Sequence, residues 1–200
     1  MEQALKYLCA AAGENCVRTL IRAAGDDPNR EGLKDTPARV LKAYQEMFAG
    51  YKMDPKAILD KTFAGPFDEM VVVKDIEFTS TCEHHMLPFY GVAHVGYLPR
   101  AGRVFGLSKL ARLVECFALR LQVQENICAQ VADALNEAPL TVGELGRVAS
   151  GAGCVIEATH FCMACRGVRK PGAKTVTSAL RGLFKSDPTV RSEFLSLTRS

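Results

Sequence analysis

Residues 69–98 read EMVVVKDIEFTSTCEHHMLPFYGVAHVGYL, and their pattern decides the fold. The first ten, EMVVVKDIEF, are rich in β-branched residues and predict a strand. YGVAHVGYL, from Tyr90 to Leu98, predicts a second, and TSTCEHHMLPF joins the two. Beyond this hairpin, Leu110, Leu113, Val114, Phe117 and Leu121 recur at helical spacing from near Ser108. Val123, Ile127, Val131 and Leu135 mark a second helix, with a break expected near Leu121–Gln124. Residues 138–152, APLTVGELGRVASGA, lack periodicity and read as a Gly-rich connection. CVIEATHFCM (154–163) predicts a third strand and KTVTSALRGLF (174–184) a fourth, after the Pro171-Gly172 turn. Asp187-Pro188 caps a last helix through Phe194 and Leu197. Two hairpins around a helix pair predict an α+β fold with an antiparallel sheet. A four-stranded sheet keeps two open edges, and pairing between copies would cover them, so an oligomer is expected.

The N-terminal side reads as helices. Leu5, Leu8, Ala12, Val17, Leu20, Ile21 and Ala24 form an apolar stripe that stops at Gly25. After the polar loop DDPNREGLKD, Thr36-Pro37 supplies an N-cap and a first-turn proline for a helix carrying Val40, Leu41, Tyr44, Met47 and Phe48. Asp54-Pro55 repeats the device for a short helix. The expected division is an N-terminal helical region, 1–65, and a sheet-bearing catalytic domain, 66–200.

Composition limits the function. A chain of 200 residues, 48% hydrophobic and 24% charged, buries a core and is not disordered. No apolar run approaches the ~18 residues of a membrane span, and the N-terminus lacks the order of a secretory signal, so a cytoplasmic protein is expected. In that reducing setting the eight cysteines are buried hydrophobes or metal ligands rather than disulfides. A net charge of +3 gives no reason to expect nucleic acid. Residues 166–200 nevertheless carry +6 and the preceding residues −3, which fits either a solvated face or cations converging on a small anion.

Cys82-Glu83-His84-His85 is the densest reactive cluster, and it lies in a connection between strands. Cys82 and His85 have the spacing that lets one turn aim a thiolate and an imidazole at zinc. On the third strand, His160 and Cys162 are two apart and so share a face, with Phe161 turned to the core. Adding Cys162 and Cys165 would close a structural site, whereas Cys82, His85 and Cys162 alone would leave a position for water. Strand alternation separates Cys165 from Cys162 and favours the open, three-ligand site, with His84 and His160 as proton-transfer groups. Lys109 and Arg112 share one helix face near its N-terminus, where anions are attracted. Arg166 is placed beside the cluster by its distance from Cys162.

Together, STCEHHMLPFYG, GLSKLAR, RLQVQE, ATHFCMACRGV and KTVTSALRGLF resemble GTP cyclohydrolase I over residues 15–200, and DPNREGLKDTPARV fits as well. The connection 138–152 is longer than usual for that family, and Cys165 does not match one of its ligand positions. The resemblance implies the tunnelling fold, in which subunits pair their sheets into a barrel, and a homodecamer of two pentamers with active sites between subunits. It implies conversion of GTP and water to 7,8-dihydroneopterin triphosphate and formate, the first step of folate and tetrahydrobiopterin synthesis. By motif, Cys82, His85 and Cys162 would hold Zn²⁺, whose acidified water attacks C8 of the purine. His84 would protonate the imidazole ring, His160 would assist, and Ser108 would lie near the ribose. Glu125 would anchor guanine with Gln124 in support. Lys109, Arg112 and Arg166 would bind the triphosphate, with Arg39 and Lys42 added by a neighbouring subunit. Two rivals remain at this level: a non-catalytic zinc-stabilised binding module, and a tunnelling-fold enzyme acting on another purine or pterin.

Overall fold

The computed structural model describes the backbone of residues 2–140 and 146–199, and side chains from residue 10 onward within those ranges. Leu5, Leu8 and Cys9, and residues 141–145 of the expected connection, lie outside the described side chains. The chain divides into two compact units, Met1–Phe48 and Ala49–Ser200. The first unit is a helix pair, α1 (Glu2–Ala23) and α2 (Thr36–Met47). They approach closely where Gly13 faces Leu41, since a Cβ at Gly13 would come within 2.9 Å of the Leu41 side chain. The cap of α2 differs from expectation. Asp35, not Thr36, holds the N-cap position, without a side-chain bond, and Pro37 falls in the first turn.

The second unit opens with a 3-10 turn (Ala49–Lys52), followed by α3 (Pro55–Ile58), whose Asp54 cap accepts from the Lys56 N–H at 2.9 Å as expected. The strands are β1 (Thr62–Ala64), β2 (Val71–Cys82), β3 (Pro88–Pro99), β4 (Arg103–Phe105), β5 (Leu121–Gln122), β6 (Ala149–His160) and β7 (Thr175–Gly182). Helices α4 (Leu107–Ala118) and α5 (Gln124–Glu137) lie between the hairpins, α6 (Phe161–Ala164) and α7 (Leu183–Ser186) are single turns, and α8 (Pro188–Thr198) ends the chain. The main sheet has the order β5-β2-β3-β6-β7, antiparallel except where β5 runs parallel to the end of β2. This antiparallel sheet, with two helices between its hairpins, is the tunnelling-fold arrangement. No helix among the described residues is long and apolar enough to cross a membrane.

One face of the sheet makes the core. Phe89, Ala93, Val95 and Tyr97 of β3 and Ala152, Cys154 and Ile156 of β6 meet Leu110, Leu113 and Val114 of α4 and Ile127, Val131 and Leu135 of α5. Each large apolar side chain so buried contributes about 1.5–3 kcal/mol. On the other face, Phe194 of α8 seats over Gly96 and Gly153, which are partners across β3 and β6. A Cβ on either glycine would come within 2.8 Å of that ring.

Four local expectations are corrected. The third strand begins at Ala149, inside the stretch expected to be a loop, because small residues there let Phe184 and Phe194 lie directly on the sheet. It also ends at His160, so His160 and Cys162 do not share a strand face, and Phe161 is exposed rather than in the core. The fourth strand stops at Gly182, whose φ of +55° turns the chain into α7. An additional strand, β5, does cover part of the β2 edge, and it occupies the break expected between the two helices.

Candidate metal and catalytic centre

The end of β2 delivers Cys82 on the core-facing side, in step with Phe78 and Ser80, and its residue is 6% exposed. The chain then turns: Met86 N–H donates to Cys82 O at 2.8 Å, and Cys82 N–H to Leu87 O at 2.8 Å. Met86 takes a positive φ of 53° to complete the turn. β5 braces this loop from outside, because Leu121 and Gln122 pair with Thr81 and Cys82 and Gln122 O accepts from Glu83 N–H at 3.0 Å. Gln122 is itself held by its side-chain amide, which donates to Phe117 O and Gln130 Oε1. The loop is thus hydrogen-bonded on both sides, to the start of β3 and to β5.

The single turn α6 brings Cys162 to the same place. Donor atoms of Cys82, His85 and Cys162 all lie within 4.8 Å of one another. The three side chains come together, but a helical turn brings Cys162 there rather than strand alternation. Cys165 closes that turn, its N–H and thiol both directed at Phe161 O at 3.0 Å, and it is not in the cluster. Burial pushes the Cys162 thiol up, Cys82 adds to this, and the nearby Arg166 opposes it. Two thiols forced together and an imidazole are a soft donor set that a cation such as zinc would relieve, so the residues fit a metal. Arg166 donates to His85 Nε2 at 3.0 Å, which leaves that ring nitrogen carrying a lone pair. His84 is exposed, with Nδ1 3.9 Å from Cys82 Sγ and its ring edge-on to His85.

His160 stands at the end of β6, directly opposite Phe89, and the two rings stack at 4.5 Å. Its Nε2 meets Gln124 Oε1 at 2.8 Å. Burial lowers its pKa, and the Glu125 carboxylate partly offsets this. Glu125 sits exposed in the first turn of α5. Gln124 is 1% exposed, and its amide nitrogen contacts Ile156 O, Thr175 O and Thr177 Oγ1, each at 3.0 Å. Sequence reasoning missed these supports of His160; the run of polar residues after Val123 gave the signal of a polar helix start but not its target.

Family models place residues 13–199 in GTP cyclohydrolase I. The chain belongs to the GTP cyclohydrolase I family. Among curated relatives named GTP cyclohydrolase 1, that of Bacillus cytotoxicus is 53% identical over 187 residues, covering 94% of this chain and 95% of the relative. That of Mycolicibacterium vanbaalenii is 56% identical over 188 residues, covering 94% and 89%. A third, from Corynebacterium aurimucosum, is 54% identical over 188 residues, covering 94% and 92%.

In this family member the remaining site residues lie elsewhere. Ser108, Lys109 and Arg112 occupy the N-terminal half of α4, where Lys109 Nζ is 3.6 Å from Asp60 Oδ1. The metal cluster lies past the opposite end of that helix, beside β5, and the twelve residues of α4 span roughly 16–18 Å. Arg39 and Lys42 are exposed on α2, where Arg39 pairs with Asp35 at 3.5 Å. One copy of the chain thus gathers Cys82, His84, His85, Cys162 and Arg166, with Glu125 beside His160, while Ser108 and Lys109 lie at the far end of α4.

Proposed function

We propose that this chain is a zinc-dependent, cytoplasmic GTP cyclohydrolase that opens the purine imidazole ring and rearranges GTP to 7,8-dihydroneopterin triphosphate, releasing formate, as the first step of folate or tetrahydrobiopterin synthesis. The observation that carries the reading is the Cys82–His85–Cys162 triad with His84 against it and His160 two residues before Cys162. Purely structural zinc needs no such neighbours. Zinc bound by the triad would supply Lewis acidity and lower the pKa of water toward 7. His84, exposed at the cluster, is the group to protonate the imidazole ring, and His160 takes up or returns a proton in the steps that follow. Glu125 accepts hydrogen bonds from N1–H and the 2-amino group of guanine. Arg166 holds phosphate oxygens from the same subunit.

Lys109, Arg112 and Ser108 act on the phosphates and ribose, with Arg39 and Lys42 from a neighbouring subunit. The length of α4 between Ser108 or Lys109 and the cluster within one chain supports sites assembled between copies. Open backbone edges on β7 and on β2 beyond β5, among the described residues, support the same reading, which we extend to a decamer of two pentamers. The test is incubation of metal-replete protein with GTP, followed by oxidation and detection of neopterin fluorescence. No fluorescent pterin would sink the enzyme reading and leave the zinc-stabilised binding module.

A further inference from the structure

We infer that Gln124 is a positioning residue that holds His160 through its Nε2–H, in the tautomer whose Nδ1 lone pair is left to accept from solvent or substrate. The inference rests on the cyclohydrolase reading for its catalytic half and on hydrogen-bond chemistry for the rest.

Gln124 has no freedom to turn over. Its amide nitrogen lies 3.0 Å from Ile156 O and 3.0 Å from Thr175 O, and backbone carbonyls only accept. Thr177 Oγ1 at 3.0 Å is a third acceptor for the same two protons. A flipped amide would set Oε1 against both carbonyls in a site that is 1% exposed, leaving buried acceptors facing one another. The carbonyl end is therefore fixed on His160, and it too can only accept. At 2.8 Å, His160 Nε2 must be the donor.

A neutral imidazole has one N–H, so with Nε2 committed, Nδ1 carries the lone pair. The stacking of His160 on the fully buried Phe89, at 4.5 Å with 7° between planes, prevents a ring flip from exchanging the two nitrogens. Among the described residues, Ser80 Oγ is the only buried side-chain N or O atom without a partner. Nδ1 has no protein partner among those residues, so it is open to solvent or substrate. The ring is thus held with Nε2 bound to Gln124 and its Nδ1 face free for a substrate atom. This assigns Gln124 a role different from guanine binding: its polar atoms are already used within the fold.

The experiment is two-bond ¹H–¹⁵N correlation of histidine-labelled, zinc-loaded protein, with His160 assigned by loss of its signals in His160→Asn. Spectra are taken at about pH 9, well above an ordinary histidine's 6.5, so the ring is neutral. The wild type is expected to show Nε2–H alone; an Nδ1–H form or a mixture overturns the lock. Gln124→Met, similar in shape but without hydrogen bonds, is expected to admit the Nδ1–H form. Its kcat is expected to fall at least about tenfold, with KM for GTP changed less than about threefold. Unchanged kcat in Gln124→Met, or a loss confined to KM, would overturn the positioning role. If that variant does not fold, the wild-type spectrum still decides the tautomer. Wild-type protein that shows Nε2–H but forms no pterin would retain the lock and remove the cyclohydrolase reading.

Discussion

Cys162→Ala and Cys165→Ala, two thiols three residues apart, should differ sharply in zinc retention. Cys162 has a donor atom within 4.8 Å of donors on both Cys82 and His85, while Cys165 spends its thiol on Phe161 O at 3.0 Å. Structural zinc sites bind with roughly 10–16 kcal/mol over four donors, or about 2.5–4 kcal/mol for each. Removing Cys162 should therefore weaken zinc by about 10²–10³-fold, at 1.4 kcal/mol for each tenfold. Removing Cys165 takes away one exposed thiol hydrogen bond and should change affinity less than about threefold. Competition against a zinc chelator, with metal content read by elemental analysis, gives both numbers, and the neopterin assay should follow them. Zinc lost equally from both variants would refute the three-ligand site and restore a closed, four-ligand one in which the centre has no place for water.

Three further outcomes are expected. His84→Ala should keep zinc and GTP binding but form no dihydroneopterin triphosphate; near wild-type turnover would show that the ring proton comes from elsewhere. Glu125→Ala should weaken GTP more than ATP, by about 1–3 kcal/mol or roughly 5–150-fold, since a site built for N1–H and the 2-amino group gains nothing from adenine; equal loss of both nucleotides in direct binding would reject the guanine assignment. Gly153→Ala would place a Cβ 2.7 Å from Phe194 and 2.8 Å from Phe184, both fully buried. Overpacking of about 2–3 kcal/mol, less about 0.5–1 for the gain over glycine in a strand, predicts about 1–2 kcal/mol of destabilisation and a melting temperature lower by about 2–8 °C at matched protein concentration. Gly172→Ala, with open space at its Cβ, should melt no lower than wild type, and a Gly153 variant that did likewise would reject the aromatic seat.

The parts of the molecule that were legible are those where one residue type has one physical use. β-Branched runs at 71–73, Asp-Pro caps at 54–55 and 187–188, and the helical spacing of Leu110, Leu113 and Phe117 each act locally, and each element starts near where expected, although β2 runs on to Cys82 through residues expected to be connection. The misreadings share a cause. At 149–153 the small residues ASGAG look like a flexible connection, yet they are strand because Phe184 and Phe194, thirty or more positions later, need bare backbone to lie on. At 161–164 the strand pattern appears to continue, but the chain bends into α6. Nothing within that segment announces the bend, since what gathers around Cys162 comes from the other hairpin.

The donors of Cys82, His85 and Cys162 meet by a route other than strand alternation, and the reason bears on how the centre is built. On a continuous strand, Cys162 would have pointed the same way as His160, crowding the two candidate groups onto one row. The turn after His160 separates them: His160 remains the last strand residue, held by Phe89 and Gln124 on the core side, while Cys162 swings to meet Cys82 and His85. Both groups then rest on rigid supports with independent neighbours. The metal loop is braced by β5 through Gln122, and the histidine by α5 through Gln124. Two glutamines two residues apart, on either side of Val123, thus tie the short strand and the helix that follows it to the two halves of one centre. A change in the Val123 backbone should consequently disturb metal geometry and proton transfer together, which a substitution at either glutamine alone should not.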